Sequence, residues 1–180
     1  TDYIRSLDNA IWGHAYTSVF GAGTSASEFE FLTGSSMAFL PSGSIPYQQY
    51  VLGDTASLAS LLRAKGYDTL AFHPGERTSW QRDRAYPRLG FDAYKCGDDM
   101  DVPQTFEHGY VSDESDFRQL IWELEHKEAG QPLFLFNVTI QNHGGYTAAD
   151  YPAQVTLTDA PGEYPMAEQY LTLANKTDQA

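Results

Sequence analysis

Thr24 is the residue of this sequence best placed to act as a nucleophile. It follows the turn Gly21-Ala-Gly23, and Ser25 and Glu28 have the spacing of a helix capping box just ahead of an apolar run. A hydroxyl at the start of a helix lies near unpaired backbone N–H groups and the positive end of the helix dipole, which attract anions. The pattern predicts that Thr24 attacks an anionic substrate, with capping of the helix by Thr24 or Ser25 as the structural alternative.

A cluster of arginines indicates where an anion could bind. The chain has 11 Lys and Arg against 24 Asp and Glu, a formal charge of −13, yet four arginines fall between positions 77 and 88: Arg77, Arg82, Arg84 and Arg88. A positive cluster in so acidic a chain favours an anionic ligand, while pairing with nearby acids on a solvated helix is the alternative. The same overall charge repels a phosphate backbone and excludes broad nucleic-acid binding.

Two histidines are predicted to lie at the ends of strands. His73 follows the short apolar segment 68–72, and His143 follows the segment 133–140 and precedes two glycines. Trp80 and Arg82 come shortly after His73. Ligands of a parallel α/β sheet gather at the carboxyl ends of its strands. We therefore expect Thr24, His73, Trp80, Arg82 and His143 to converge there.

Helices and strands alternate in the predicted order of elements. Strands are expected at 14–20, 68–72 and 133–140, and helices are expected to begin near Ser25, at Asp54 or Thr55, at Ser112 or Asp113, and near Met166. The third helix is expected to bury one stripe, formed by Phe117, Leu120, Ile121 and Leu124. Strands that are apolar on both faces favour an α/β fold, a mainly parallel sheet sandwiched by helices. With 180 residues, the chain is expected to form a single domain.

Other motifs are too weak to support a function. The turn at Gly21 fits a dinucleotide fingerprint, but no acid ends a second strand about 20 residues on. Asp98 to Asp101 lacks the spacing of a calcium loop. Cys96 is the only cysteine, so it cannot close an internal disulfide.

Four segments, in this order and spacing, resemble the lipoteichoic acid synthase and phosphoglycerol transferase family. They are GAGTSASEFEFLTG (21–34), MAFLPSGS (37–44), HPGERTSWQRD (73–83) and NVTIQNHGGY (137–146). The resemblance implies an alkaline-phosphatase and sulfatase-like fold. It also implies transfer of glycerol phosphate from phosphatidylglycerol to an acceptor hydroxyl, which belongs to a glycerol-phosphate chain or a glycan.

The resemblance assigns roles to five residues. Thr24 corresponds to the family's nucleophilic threonine, which is also a ligand of Mn²⁺ or Mg²⁺. His73, Trp80, Arg82 and His143 correspond to its substrate-binding residues. The family's remaining metal ligands, a glutamate and an aspartate-histidine pair, have no counterpart here. We therefore expect a central fragment of a larger catalytic domain that is inactive alone and binds no catalytic metal, its parent being anchored in the membrane with the domain on the extracellular face.

Three other functions stay open at this point. A sulfatase of the same superfamily would need a Cys or Ser in a C/S-x-P-x-R setting, whereas Gly-Asp-Asp-Met follows Cys96. A phosphoethanolamine transferase also uses threonine but usually carries several disulfides. A non-catalytic module could bind an anionic polymer through the arginine cluster.

Overall fold

A computed structural model describes residues 5–11, 13–16, 18–20 and 23–180 of the chain. The chain divides into two compact units. The sheet unit comprises Gly13–Asp99 and Leu124–Val138, and the helical unit comprises Thr1–Trp12, Met100–Glu123 and Thr139–Ala180. Each unit is described by itself.

A parallel three-stranded sheet organises the sheet unit. Its strands are β1 (Asp68–His73), β2 (Ala93–Cys96) and β5 (Leu133–Asn137), in the order β2-β1-β5. Both neighbours run parallel to β1, with Leu70 opposite Ala93 in β2 and opposite Leu135 in β5. The parallel sheet predicted from the sequence is confirmed, and β1 ends on His73 as expected.

Among the described residues, this unit contains the helices α1 (Thr24–Thr33), α2 (Pro46–Gln49), α3 (Leu58–Arg63) and α4 (Arg82–Arg88). Short 3-10 turns lie at Met37–Phe39, Ser79–Gln81 and Gly97–Asp99. Side chains from these helices and from β1 form the core, including Phe29, Leu32, Tyr47, Ala71 and Tyr86. Burial of this apolar surface is the main force that holds α1 and α4 in place.

The helical unit contains a β-hairpin, most of one helix and all of another. The hairpin pairs β3 (Phe106–Glu107) with β4 (Tyr110–Val111), and residues 113–123 of helix α5 (Asp113–His126) and all of α6 (Pro165–Gln179) follow. Residues 144–164 contain no helix or strand. Among the described residues, no helix combines the length and hydropathy required to cross a membrane.

Two local predictions at the start of the sheet unit are wrong. Residues 13–16 and 18–20 form no strand, and Thr17, Gly21 and Ala22 lie outside the described residues. Tyr16 and Phe20 are almost fully exposed there, and β-forming residues make a strand only where a neighbouring strand bonds their backbone. The helix that follows does begin where expected, but its N-cap is Gly23 and no side chain caps it.

Two further predictions about helices need correction. Helix α3 is capped by Ser57, through a capping box with Ser60, and not by Asp54 or Thr55. In α5 the expected apolar stripe does not face a core, since Ile121 and Leu124 are more than half exposed. The opposite, polar face of α5 is buried instead, through Asp113, Ser115, Asp116 and Gln119.

Gly90 is expected to tolerate no side chain. Its φ is +92°, and a Cβ there would lie 2.7 Å from the Ser60 Cβ. We expect Gly90→Ala to lower the free energy of unfolding by about 3 kcal/mol, because left-handed backbone strain adds to overpacking. Gly66→Ala is the matched control, since Gly66 has φ +86° but nothing within 4 Å of a built Cβ. We expect Gly66→Ala to lower the free energy of unfolding by about 1 kcal/mol. Urea denaturation measures both variants. Equal losses for the two variants would contradict the close approach.

Candidate functional site

The Thr24 side chain lies on the surface at the first residue of α1. Gly23 precedes it with a left-handed φ of 103°, and the Gly23 carbonyl accepts the backbone N–H of Ala26 at 2.9 Å. Thr24 itself is exposed, whereas Ser25 and Ala26 are buried. The hydroxyl predicted as nucleophile is therefore open to solvent at the positive end of a ten-residue helix.

One turn further along α1, Glu28 is the centre of a buried polar cluster. Its carboxylate accepts hydrogen bonds from Tyr47 Oη at 3.1 Å, from Tyr86 Oη at 2.8 Å and from Arg82 Nε at 3.3 Å. Arg82 Nη2 donates to the other oxygen, so the guanidinium and the carboxylate form a two-point ion pair. Glu28 is 4 % exposed and Arg82 is 2 % exposed. The structure thus brings Arg82 against the helix that carries Thr24.

Burial determines the protonation of the groups around Glu28. It raises the pKa of both Tyr47 and Tyr86 well above the ordinary value, and the Glu28 charge raises them further. Burial alone lowers the pKa of Arg82, but the hydrogen bonds and charge of Glu28 outweigh it and the net shift is upward. Both tyrosines therefore stay hydroxyl donors and Arg82 stays a cation at neutral pH.

Trp80 lies on a strained turn between β1 and α4. Its φ is 58° and that of Gln81 is 60°, two consecutive non-glycine residues in the left-handed region. The Trp80 side chain is 38 % exposed. Such strain concentrates at functional sites, where the surrounding structure holds it in place.

His73 is buried at the carboxyl end of β1. Its Nδ1 lies 2.7 Å from the Val138 carbonyl oxygen, and a carbonyl oxygen only accepts, so Nδ1 carries the proton of this bond. In the neutral ring Nε2 is then the acceptor. The bond fixes both the orientation and the tautomer of the imidazole.

Loss of this hydrogen bond should reduce stability. His73→Leu keeps a similar volume but leaves the Val138 carbonyl without its donor, so we expect the free energy of unfolding to fall by about 1–3 kcal/mol. His73→Asn retains an N–H near the position of Nδ1 and should lose less. Urea denaturation of both variants measures the difference. A His73→Leu variant as stable as the wild type would contradict the bond.

His143 belongs to the helical unit and is exposed. Tyr110 Oη lies 3.1 Å from its Nδ1, and its backbone N–H donates to the Ile140 carbonyl at 2.9 Å. The preceding Gln141 is 1 % exposed and accepts the backbone N–H of Asp113 at 3.0 Å, which fixes the turn to the start of α5. Convergence of His143 with Thr24, His73, Trp80 and Arg82 stays a prediction.

The arginine cluster does not form one anion-binding surface. Arg77 is paired with Asp99, Arg82 with Glu28, and Arg88 donates to the Val51 carbonyl. Arg84 is exposed to solvent, and the Arg77 side chain is 42 % exposed beside Asp99. This pairing matches the structural alternative and gives little support to an anionic-polymer module.

A metal would need ligands beyond those that the described residues bring together. Residues 5–11, 13–16, 18–20 and 23–180 contain no group of three or more His, Cys, Asp or Glu side chains that could hold an ion. One threonine hydroxyl does not hold a hard dication, which takes several oxygen ligands. The residues described do not by themselves fit Mn²⁺ or Mg²⁺.

Comparison of the sequence with models of protein families shows the family to which the chain belongs. A family model described as Sulfatase matches residues 3–180, nearly the whole chain. The chain belongs to the sulfatase family.

Three curated relatives of this sulfatase-family chain come from two organisms. A Rhizobium meliloti (strain 1021) protein named for cyclic beta-1,2-glucan modification is 39 % identical over 92 % of the chain. The capsular polysaccharide biosynthesis protein RkpI of the same strain is 27 % identical over 94 % of it. A lipoteichoic acid synthase of Staphylococcus saprophyticus is 28 % identical over 92 % of it. The chain spans 25 %, 30 % and 25 % of the lengths of these relatives.

Solved structures share the fold of this sulfatase-family chain. The lipoteichoic acid synthase LtaP of Listeria monocytogenes matches with a TM-score of 0.72 at 21 % identity, over 91 % of the chain and 39 % of that structure. The phosphoglycerol transferase GacH of Streptococcus pyogenes, in complex with sn-glycerol-1-phosphate, matches with a TM-score of 0.67 at 19 % identity, over 91 % and 44 %. A Vibrio parahaemolyticus protein of the alkaline phosphatase superfamily matches with a TM-score of 0.59 at 21 % identity, over 87 % and 37 %. The predicted alkaline-phosphatase and sulfatase-like α/β fold is confirmed.

Glu28 is the main residue of this region that sequence reasoning missed. Its spacing from Ser25 suggested a capping box, whereas its carboxylate points into the core and binds Arg82. Tyr47 and Tyr86 were also missed, because their hydroxyls approach Glu28 only through the tertiary fold. The four-residue spacing from Thr24, which places both on one face of a helix, was the available signal.

Proposed function

We propose that the full-length protein is a phosphoglycerol transferase in which Thr24 is the nucleophile. The single observation that carries the proposal is the exposed Thr24 hydroxyl at the N-terminus of α1, one turn from the buried Glu28–Arg82 pair. His73, Trp80, Arg82 and His143 would bind the glycerol phosphate group. The sn-glycerol-1-phosphate bound to GacH, whose fold this chain shares, supports that substrate class.

The proposed reaction has two displacements at phosphorus. First, the Thr24 oxygen bonds to the phosphorus of phosphatidylglycerol, the bond from phosphorus to the diacylglycerol oxygen breaks, and the hydroxyl proton ends on diacylglycerol. Second, an acceptor hydroxyl oxygen bonds to phosphorus, the Thr24 ester breaks and Thr24 regains a proton. The covalent intermediate divides one difficult transfer into two easier steps.

The acceptor is proposed to be a glycan hydroxyl or a glycerol-phosphate chain. Support for a glycan comes from the names of the two Rhizobium meliloti relatives, one for glucan modification and one for capsular polysaccharide biosynthesis. Because the donor is a membrane lipid, we also propose that the full-length protein is membrane-anchored and acts at the extracellular face. Mn²⁺ or Mg²⁺ with Thr24 as one ligand belongs to the same proposal, its other ligands lying beyond the described residues.

A sulfatase is the rival suggested by the family name. Its nucleophile would be a Cys or Ser in a C/S-x-P-x-R setting, a pattern that the sequence does not contain. The only cysteine, Cys96, is 1 % exposed at the end of β2. Burial also raises the pKa of the Cys96 thiol, which disfavours the reactive thiolate. These observations favour Thr24.

The proposal is tested with the full-length protein and a fluorescent phosphatidylglycerol analogue. Release of fluorescent diacylglycerol, together with glycerol phosphate appearing on added cyclic beta-1,2-glucan, would support it. In a parallel assay, the same protein is given an aryl sulfate ester, a substrate for a sulfatase. Sulfate release without diacylglycerol release would overturn the proposal in favour of a sulfatase.

A further inference from the structure

We propose that Glu28 is a positioning residue: its carboxylate orients Arg82 and, through Arg82, the strained turn that presents Trp80. This inference rests on the proposed function, in which Arg82 and Trp80 contact the glycerol phosphate group. Glu28 itself is assigned no contact with substrate, because its carboxylate oxygens accept from Arg82, Tyr47 and Tyr86 and would repel an anionic phosphate.

The hydrogen bonds of Glu28 fix the orientation of the Arg82 guanidinium as well as its distance from the carboxylate. Arg82 Nε and Nη2 each donate to a different oxygen of the carboxylate, so the planar guanidinium can lie in only one orientation. Tyr47 and Tyr86 in turn hold the carboxylate, from α2 and α4. Arg82 is thereby attached to α1, 54 residues away in sequence and one helical turn from Thr24.

Arg82 also connects this pair to the turn before it. Its Nη1 donates to the Ser79 carbonyl at 3.4 Å, across the two left-handed residues Trp80 and Gln81. Left-handed conformations of bulky residues persist only where the surroundings hold them. Arg82 is the first residue of α4 and ends that turn. Its ion pair with Glu28 therefore holds the turn in place.

Among the described residues, Nε, Nη1 and Nη2 of Arg82 each donate a hydrogen bond, two to Glu28 and one to the Ser79 carbonyl. Together these bonds fix the plane of the guanidinium. In the proposed function, that plane determines how Arg82 meets the phosphate.

The first experiment follows Trp80 directly. The full-length protein is labelled with 5-fluorotryptophan, and the ¹⁹F resonance of Trp80 is assigned by its loss in Trp80→Phe. We expect Glu28→Gln to move or broaden this resonance while the other tryptophan resonances keep their positions. Glu114→Gln, which breaks the exposed Glu114–Arg118 pair of α5, is the matched control and should leave Trp80 unchanged. An unmoved Trp80 resonance in Glu28→Gln would overturn the proposal.

The second experiment measures affinity for sn-glycerol 1-phosphate by titration calorimetry. We expect Glu28→Gln to weaken binding by about 10- to 100-fold, since small misplacements of a binding group carry large costs. In the Arg82→Ala background the same change should alter affinity by less than about twofold, because the two residues act as one unit. Independent, multiplying losses would show a merely structural role and overturn the proposal.

A milder variant keeps the test informative should Glu28→Gln not fold. Tyr86→Phe removes the 2.8 Å hydrogen bond to Glu28 without removing a charge, and we expect a several-fold loss of affinity with a smaller shift at Trp80. No change in either measurement would contradict the proposal. If the wild type itself does not bind glycerol phosphate, the proposed function fails, while the Trp80 resonance still decides whether Glu28 positions the turn.

Discussion

Thr24→Ala is expected to abolish phosphoglycerol transfer by the full-length protein, with kcat at least about 1,000-fold lower. Loss of a nucleophile removes the covalent route altogether, and single knock-outs of catalytic nucleophiles have effects of this size or larger. The fold should survive, because Gly23 and not Thr24 is the N-cap and the Thr24 side chain is exposed. Steady-state kinetics on the fluorescent lipid analogue measures the loss, and circular dichroism checks the fold.

Thr33→Ala is the matched control for this prediction. Thr33 ends the same helix, and its hydroxyl donates to the Phe29 carbonyl at 2.7 Å, so the variant removes a threonine hydroxyl far from the N-terminus. Its kcat should stay within about twofold of the wild type. Thr24→Ser, which keeps a hydroxyl, should retain measurable turnover. A Thr24→Ala enzyme within about tenfold of wild-type kcat would place the nucleophile elsewhere.

Local pattern was sufficient to predict β1, β5 within the predicted segment 133–140, and the start of α1, whereas β2 was not predicted. The segment that became β1 is short, apolar and followed by a polar residue, so both its burial and the position of His73 could be predicted. Gly23 likewise marked the start of α1, since a left-handed residue there favours glycine. These elements are specified by residues that lie close together in the chain.

What could not be predicted depends on contacts between distant residues. Glu28 and Arg82 are 54 positions apart, and no periodicity links them. The orientation of α5 fails for a related reason, because Gln141 and Thr177 draw Asp113 and the polar face inward through hydrogen bonds. Hydrophobic periodicity assigns the apolar face to the core, and here a buried polar network outweighs it.

Arg82→Ala is expected to destabilise the chain as well as weaken substrate binding. The sequence analysis gave Arg82 as a substrate-binding residue, and the structure places its guanidinium in the interior beside Glu28. Removing one partner of a buried pair leaves the other charge desolvated and unpaired, at a cost of about 3–5 kcal/mol. Urea denaturation gives the loss, with Arg118→Ala as control. Arg118 forms an exposed pair with Glu114, so its removal should cost less than about 0.5 kcal/mol.

Two further variants separate the charge of Arg82 from its shape. Arg82→Lys keeps the positive charge but lacks the planar fork, so it should recover only part of the stability and of the affinity for glycerol phosphate. Combining Arg82→Met with Glu28→Gln removes both charges, leaves an acceptor for Tyr47 and Tyr86, and should recover at least about half of the lost stability. Its affinity for glycerol phosphate should stay as low as that of Arg82→Ala. If stability and affinity recovered together in the double variant, Arg82 would contribute to binding only through the fold, and its assignment as a substrate-binding residue would be wrong.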